Sequence, residues 1–312
     1  RYSVLRFRYV DLPRPWALPL ALFRLVTATL LLWGGLAQAD APAYVLEGTE
    51  VHTLRMESSG RDYDLYISLP ASYGKGNQSY PVVFVTDAPY AFPVVRNIGS
   101  FVSRNGGNLS EFILVGLGYA RGETPVQSRN RDYTPTDRKN GKAAPVEGVY
   151  GQAETYRRFV VSQVFPFIAH TYRSDMQRKV LIGHSYGGLF GLHTLLTEPG
   201  MFDHYVLGSP SLWFGQRHLF GVESAYAARK QDLPARVLLM TGGYETLRPQ
   251  SRNPRYNQEV DMVGDVQAFE RQLKSRRYPG LTVRSEVVNG EDHATVYPII
   301  ATRGLLWALP AK

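Results

Sequence analysis

The first candidate for chemistry is a serine in a Gly-x-Ser-x-Gly motif at residues 183–187. The apolar residues 180–182 precede the motif, and leucines and a phenylalanine at helical spacing follow it. A buried strand, a sharp glycine-flanked turn and a helix together lift a serine hydroxyl clear of a sheet as a nucleophile. The motif also arises by chance in a glycine-rich chain, so an idle serine in a strand-to-helix turn is the alternative. The pattern predicts Ser185 as a nucleophile if the chain supplies its partners.

A serine hydroxyl needs a base that accepts its proton and a third group that orients this base. His293 lies downstream of the serine, between the last predicted strand and the last predicted helix, and is the candidate base. Glu245 follows a predicted buried strand and is the candidate acid. Asp261 is an alternative acid, and Asp292 is too close in sequence to orient His293 easily. A serine–histidine pair without an acid stays open.

Acyl transfer by a serine nucleophile would also need two backbone N–H groups that stabilise the negative charge on the reacting oxygen. Tyr186, the residue after the serine, is one candidate donor. The other donor should lie in the loop after the predicted strand at residues 81–86, where Ala88 is the choice. Pro89 has no N–H and cannot serve. The sequence therefore predicts an oxyanion hole from Tyr186 and Ala88.

The predicted strands and helices alternate along the chain. Two segments with alternating apolar residues, 51–56 and 61–69, come first and are expected to pair antiparallel. Further strands are predicted at residues 81–86, 112–116, 180–182, 205–207, 236–241 and 281–287. Helices are predicted within 91–103, from about 152, directly after the serine, at 262–273 and at 295–309. This order predicts a mostly parallel central sheet with helices on both faces, and ligand binding at the carboxyl ends of its strands.

Two long polar segments without periodicity, residues 119–150 and 242–258, interrupt this pattern. A structureless segment this long inside a compact domain is usually functional or disordered. Both segments should overhang the carboxyl ends of the strands, and both carry arginines. The arginines of the first segment are Arg121, Arg129, Arg131 and Arg138. A planar, permanently charged guanidinium there suits an anionic or carbonyl-rich substrate, with a solvated surface as the alternative. Trp213 is a candidate stacking wall, or else a core residue.

The N-terminal residues predict export. Residues 1–39 contain five arginines, an apolar run at 25–36 and an Ala-Gln-Ala cleavage pattern at 37–39. They are expected to form a signal peptide, with residues 40–312 as the hydrolase domain, although a retained anchor and a core helix are alternatives. The run is too short for a good membrane span. The chain has no cysteine, which excludes a lipoprotein anchor, disulfides and thiolate chemistry. The expected compartment is the periplasm.

The charge balance argues against nucleic acid as a partner. Without residues 1–39 the chain has 30 basic and 26 acidic residues, a net charge of about +4. The basic residues are scattered, whereas nucleic-acid binding needs a basic patch or stripe. No group of histidines and carboxylates has the spacing of metal ligands, so neither a metal nor another cofactor is expected.

Four features resemble the putative-esterase family of the α/β-hydrolases, which includes siderophore trilactone esterases and feruloyl esterases. They are Gly-His-Ser-Tyr-Gly-Gly at 183–188, Arg-Asp-Tyr-Thr-Pro-Thr at 131–136, Ser-Pro-Ser-Leu-Trp at 209–213, and His293. The resemblance spans most of residues 48–310 and implies an α/β-hydrolase fold with long loops over the active site. Ala88 stands where relatives commonly have glycine, and some siderophore esterases use a serine–histidine pair.

With the export pattern, the sequence is most similar to periplasmic esterases that cut ferric enterobactin-type trilactones. This resemblance implies a serine esterase that hydrolyses an anionic ferric siderophore through an acyl-enzyme, aids iron release and contacts iron-uptake components. Arg131 and its neighbours are then expected to hold catecholate or ester carbonyl oxygens. The alternatives are a broad or feruloyl-type carboxylesterase, acyl transfer, and a non-catalytic binding protein on a hydrolase scaffold.

Overall fold

In the part of the chain that the structure describes, eight strands form one central sheet. The structure is a computed structural model and describes residues 43–106, 108–137 and 148–311. The strands are β1 (Thr49–Met56), β2 (Arg61–Ser68), β3 (Tyr80–Val85), β4 (Ile113–Ala120), β5 (Ser174–His184), β6 (His204–Gly208), β7 (Ala235–Gly242) and β8 (Leu281–Val288). Their order across the sheet is β1-β2-β4-β3-β5-β6-β7-β8. The pairs β1–β2 and β2–β4 are antiparallel and the others are parallel, which confirms the predicted α/β-hydrolase architecture.

Helices cover both faces of the sheet, as predicted. They are α1 (Ala88–Arg104), α2 (Pro125–Asp132), α3 (Ala153–Phe159), α4 (Phe165–Thr171), α5 (Tyr186–Thr197), α6 (Phe214–Ala227), α7 (Met262–Arg276) and α8 (Tyr297–Ala308). A π-helical stretch, Val160–Val164, joins α3 to α4. Because successive side chains of a strand point to opposite faces, Phe84 of β3 belongs to one apolar core and its neighbour Val85 to the other. The first core packs α3 to α7 against the sheet, and the second packs α1 and α8.

The two antiparallel strands follow the predicted alternation. Tyr63, Leu65 and Ile67 of β2 are all buried in the first core, while the residues between them are partly exposed. The central strand β3 is buried along its whole length, which is why its sequence is apolar without alternation. The local patterns therefore identified both kinds of strand.

Two helices correct the sequence-based prediction. Helix α2 lies inside the segment 119–150, which was predicted to lack structure. Its start has a capping box, because Thr124 accepts a hydrogen bond from the Gln127 N–H and the Gln127 side chain accepts one from the Thr124 N–H. Helix α6 was not predicted at all, and three residues within its bounds, 215–217, have left-handed backbone angles that disrupt the helical pattern. Arg138 and the rest of residues 138–147 lie outside the described residues.

The described residues from 47 onward form one compact unit. The predicted signal peptide, residues 1–39, lies outside the described residues. Among the residues that are described, no helix is both long enough and apolar enough to cross a membrane.

Candidate active site

Ser185 lies in the sharp turn between β5 and α5, as the motif predicted. Its backbone angles, φ 58° and ψ −117°, fall in a region that L-residues rarely adopt, which is the strained geometry of a nucleophile elbow. The flanking glycines are required for space. A Cβ on Gly183 would lie 2.4 Å from the Gly187 carbonyl oxygen, and a Cβ on Gly187 would lie 2.1 Å from Thr86 Oγ1. The turn therefore presents the serine at the carboxyl end of β5 and tolerates no side chain at either glycine.

The structure brings Glu245 and His293 together. Glu245 lies in a short 3₁₀ turn, Gly243–Glu245, directly after β7, and His293 lies in the loop after β8. His293 Nδ1 donates a hydrogen bond to Glu245 Oε2 over 2.7 Å. This bond fixes the tautomer in which Nε2 is free to accept a proton. Because β7 and β8 are neighbours in the sheet, their ends deliver acid and base side by side.

Glu245 is itself held rigidly. It is only 1% exposed, and its Oε1 accepts hydrogen bonds from the Ser209 hydroxyl at 2.6 Å and from the Gly242 N–H at 2.7 Å. Buried carboxylates need such donors, because an unpaired buried charge is costly. Both oxygens are thus engaged, one by the scaffold and one by His293. Ser209 belongs to the Ser-Pro-Ser-Leu-Trp run, so part of that run supports the acid.

The two other candidate acids have different partners. Asp261 caps helix α7 by accepting a hydrogen bond from the Gly264 N–H at 3.0 Å. Asp292 accepts a hydrogen bond from Arg255 Nε at 2.7 Å. Of the three carboxylates, Glu245 is the one whose contact is with His293 Nδ1.

Ser185 and His293 open into one cleft of about 510 Å³. A histidine, His184, and an arginine, Arg129, also line the cleft, together with an aromatic wall of Tyr90, Tyr119 and Tyr297. The Ser185 hydroxyl lies 3.4 Å from the Ser211 hydroxyl. Among the described residues no hydrogen bond joins Ser185 to His293, and the two side chains are related by the cleft that they share, since catalytic hydrogen bonds often form only when substrate binds. The cleft can therefore hold an aromatic acyl group next to a nucleophile and a base.

His184 packs directly against the candidate base. Its ring centre lies 4.5 Å from that of His293, and the side chain is buried. Burial lowers the pKa of His184 well below its usual value, and the nearby His293 and Arg129 lower it further. His184 is therefore neutral at physiological pH and adds no positive charge beside His293.

The candidate oxyanion donors begin the two helices that follow the neighbouring strands β5 and β3. Tyr186 is the first residue of α5 and Ala88 is the first residue of α1, where an N–H has no partner within its own helix. The preceding N–H groups are engaged, since Thr86 donates to the Ile182 carbonyl and Asp87 donates to the Tyr133 hydroxyl. In the loop after β3, Ala88 therefore stays the predicted second donor.

Arg129 is the arginine that lines the cleft. Its Nε and Nη2 donate to the fully buried Asp87 at 3.0 and 3.4 Å, and its guanidinium lies 5.3 Å from the Tyr186 ring centre. Burial would lower the pKa of Arg129, but the Asp87 carboxylate outweighs this effect and raises it above its usual value. Arginine has five N–H donors and Asp87 engages two of these. Arg129 therefore brings a fixed positive charge and further donors to the cleft.

The choice of Arg131 as a substrate ligand was wrong. Its side chain is 3% exposed and is bound by Asp132 at 2.8 Å, by Glu123 at 2.5 Å and by the Tyr63 hydroxyl at 3.0 Å. Residues two apart on a helix point about 200° apart, so α2 cannot turn both Arg129 and Arg131 to the cleft. The capping box of α2 was the available signal for this helix.

Trp213 lies beside the elbow. It is half-buried, and its ring lies 6.2 Å from the rings of both Tyr186 and Phe214. The residues that line the cleft with Ser185 do not include it. Its contact with the elbow therefore runs through Tyr186. The aromatic wall that the structure does place in the cleft, Tyr90, Tyr119 and Tyr297, carries no motif that marks it in the sequence.

Comparison with known proteins identifies similar esterases. The family model described as putative esterase matches residues 56–293. Ferri-bacillibactin esterase BesA of Bacillus subtilis is 30% identical over 280 residues, which is 86% of this chain and 91% of BesA. Siderophore triacetylfusarinine C esterase of Aspergillus fumigatus is 26% identical over 79% of this chain and 88% of that protein. The solved structure of siderophore hydrolase EstB from Aspergillus nidulans superposes with a TM-score of 0.71 and 25% identity, over 86% of this chain and 98% of EstB.

Proposed function

The chain belongs to the putative-esterase family of the α/β-hydrolases and is a carboxylic ester hydrolase, and from this premise we propose that it hydrolyses the ester bonds of a catecholate trilactone siderophore. Its substrate would be an enterobactin-like, iron-loaded ring, and ring opening would aid iron release. The single observation that carries the catalytic part is the 2.7 Å contact of His293 with buried Glu245, in the cleft that also exposes Ser185.

In the proposed acylation step, Ser185 Oγ attacks the ester carbonyl carbon while its proton passes to His293 Nε2. The carbonyl π electrons move to oxygen, and the N–H groups of Tyr186 and Ala88 stabilise the resulting oxyanion. When the carbonyl re-forms, the bond to the ester oxygen breaks and His293 gives its proton to the leaving alkoxide. The products are a free hydroxyl on the opened ring and an acyl-enzyme at Ser185.

Deacylation repeats these steps with water as the nucleophile. His293 takes a proton from the water while the water oxygen attacks the acyl carbon. His293 then gives the proton to Ser185 Oγ as the acyl bond breaks. The Glu245 carboxylate stabilises the imidazolium that forms in both half-reactions. The net reaction adds one water across one ester bond.

The substrate assignment is supported by the chemistry of the cleft. The relatives are named for ferri-bacillibactin and for the siderophore triacetylfusarinine C. Three tyrosines of the cleft could contact an aromatic acyl arm, and Arg129 could donate to catecholate or carbonyl oxygens. Because Arg129 is paired with Asp87, it would favour an anionic ferric tris-catecholate through the N–H donors that Asp87 does not engage. Periplasmic location and contact with iron-uptake components are part of the proposal and rest on the sequence pattern and the resemblance.

Arg129→Lys is expected to raise KM for ferric enterobactin about tenfold, because lysine keeps the charge opposite Asp87 but loses the planar fork. A tenfold change corresponds to about 1.4 kcal/mol, the size of one hydrogen bond to a charged group. Hydrolysis of a neutral aryl ester should change much less. Initial rates over a range of concentrations of both substrates measure the effect.

Arg131→Lys is the matched control, since it makes the same chemical change on the buried face of α2. It should lower the melting temperature, because Asp132 loses its bidentate partner and Glu123 loses the hydrogen bond from Nη1, and leave KM for the siderophore unchanged. An equal rise of KM in both variants, or a rise in Arg131→Lys alone, would remove Arg129 from substrate recognition.

The proposed function is tested by offering the purified chain ferric enterobactin and a simple aryl ester in parallel, with Ser185→Ala as the control. Chromatography should show linear trimer appearing with the wild type and not with the variant. Rapid aryl-ester cleavage with an intact trilactone would leave the esterase in place and reject the siderophore assignment in favour of a broad or feruloyl-type carboxylesterase.

A further inference from the structure

The candidate base and its acid lie on two separate segments. Glu245 is fixed by buried hydrogen bonds, whereas the His293 side chain is 42% exposed and its loop contains Gly290, a residue with φ +83°. Catalysis depends on the alignment of the two groups within a fraction of an ångström. Something must therefore hold the loop of His293 against the turn of Glu245.

The loop of His293 is organised around Asp292. Its Oδ1 accepts hydrogen bonds from the N–H groups of Ala294 and Thr295, both at 3.1 Å, and its own N–H donates to Thr295 Oγ1 at 3.0 Å. Partial burial would raise the pKa of Asp292, but hydrogen bonds from Arg255 and from these N–H groups lower it overall. An ionised Asp292 thus fixes the turn that carries the neighbouring imidazole.

Arg255 contacts both segments, through Asp292 next to His293 and through Tyr244 next to Glu245. Its Nε donates to Asp292 Oδ2 at 2.7 Å and its Nη2 donates to Thr295 Oγ1 at 3.2 Å. Its guanidinium carbon lies 4.3 Å from the ring centre of Tyr244, which precedes Glu245. Backbone bonds extend the same connection, because the Tyr244 N–H donates to the Glu291 carbonyl at 3.0 Å.

We propose that Arg255 is a positioning residue, which holds the His293 loop on the Glu245 turn through Asp292 and Tyr244. The inference rests on the proposed catalytic roles of His293 and Glu245, and it concerns ester hydrolysis in general rather than the siderophore. Arg255 acts through its neighbours and touches no substrate in this role. A guanidinium is suited to it, since its planar fork bonds two acceptors while its face stacks on a ring.

The other ionisable groups around His293 set the background for a pH experiment. They are Glu245 after β7, His184 on β5, Arg129 on α2, Tyr297 on α8, and Glu291 and Asp292 on its own loop. Removal of Arg255 leaves Asp292 as an uncompensated carboxylate beside the base. An anion there favours the protonated base, so the acid limb of the pH profile should move to higher pH.

Arg255→Met is expected to lower kcat for a neutral aryl ester about tenfold, with KM within about twofold, because the base is misaligned rather than the substrate. The acid limb of kcat/KM should shift upward. Arg255→Lys should restore the position of the acid limb and part of kcat, since lysine keeps the charge but loses the fork. The matched control is Arg248→Met, which removes an arginine stacked 4.2 Å from the Tyr256 ring centre in the same segment. That variant should keep kcat, KM and the pH profile.

A double-mutant cycle with Asp292→Asn completes the test. If Arg255 acts through Asp292, the double variant should lose no more activity than the worse single variant. The inference is overturned if Arg255→Met matches Arg248→Met in kcat and pH profile, if the losses are additive, or if lost activity only follows a lost folded fraction in thermal melts. Failure of the siderophore assignment leaves this test intact, because it uses only the aryl ester.

Discussion

Replacing Ser185 by alanine is expected to lower the rate of ester hydrolysis at least about 10⁴-fold, whatever the ester, because no other hydroxyl lies in the strained turn between β5 and α5. Measurement of kcat with an aryl ester and covalent labelling by a fluorophosphonate test this together. The variant should bind ester without turnover and should not label. Its melting temperature should stay close to that of the wild type, since alanine keeps the Cβ that the turn already accommodates.

The matched control is Ser211→Ala, which removes the hydroxyl 3.4 Å from that of Ser185. It should label fully and lose no more than about fivefold in kcat, the effect of one hydrogen bond of about 1 kcal/mol. Labelling that persists in Ser185→Ala, or that is lost in Ser211→Ala, would show that Ser185 is not the nucleophile. If the wild type neither labels nor turns over an ester, the enzymatic premise itself would fail and a binding role would remain.

Replacing Glu245 by glutamine is expected to lower kcat about 10³- to 10⁴-fold with little change in KM. Both carboxylate oxygens accept hydrogen bonds, one from Ser209 and Gly242 and the other from His293. A glutamine side chain has only one acceptor oxygen, so its NH₂ group must face the donors on one of these two sides. If the NH₂ group turns to His293, Nδ1 becomes the acceptor and the imidazole proton moves to Nε2, the nitrogen that should accept the proton of the nucleophile. Steady-state and burst kinetics with an aryl ester measure the loss.

Asp261→Asn is the control for this second variant. It makes the same carboxylate-to-amide change at the alternative acid, which caps α7. It should cost at most about 1 kcal/mol of stability and leave kcat unchanged. A Glu245→Gln variant that keeps kcat within about tenfold of the wild type would establish a serine–histidine pair as the working site. The roles of these two carboxylates would be exchanged if Asp261→Asn were the inactive variant.

The sequence alone determined the features that depend on neighbouring residues. The apolar run before residue 183, the two glycines and the helical spacing after them specify the strand, turn and helix around Ser185, because backbone conformation and burial pattern are local properties. For the same reason the antiparallel start and the order of parallel strands could be predicted, and with them the edge of the sheet where His293 would lie. Helix α2 was also within reach, through the capping box at Thr124 and Gln127.

Only the tertiary structure decided between residues of the same type. Glu245 and Asp261 both follow β7, and the choice depends on the adjacency of β7 and β8 and on the donors that Ser209 and Gly242 place around a buried carboxylate. Arg129 and Arg131 are two residues apart, and the rotation of α2 against the core, where Arg131 meets Tyr63 and Asp132, turns only Arg129 to the cleft. The sequence does not show which way a charged side chain points. Its direction comes from long-range pairing, because a buried charge is stable only where the fold supplies its partner.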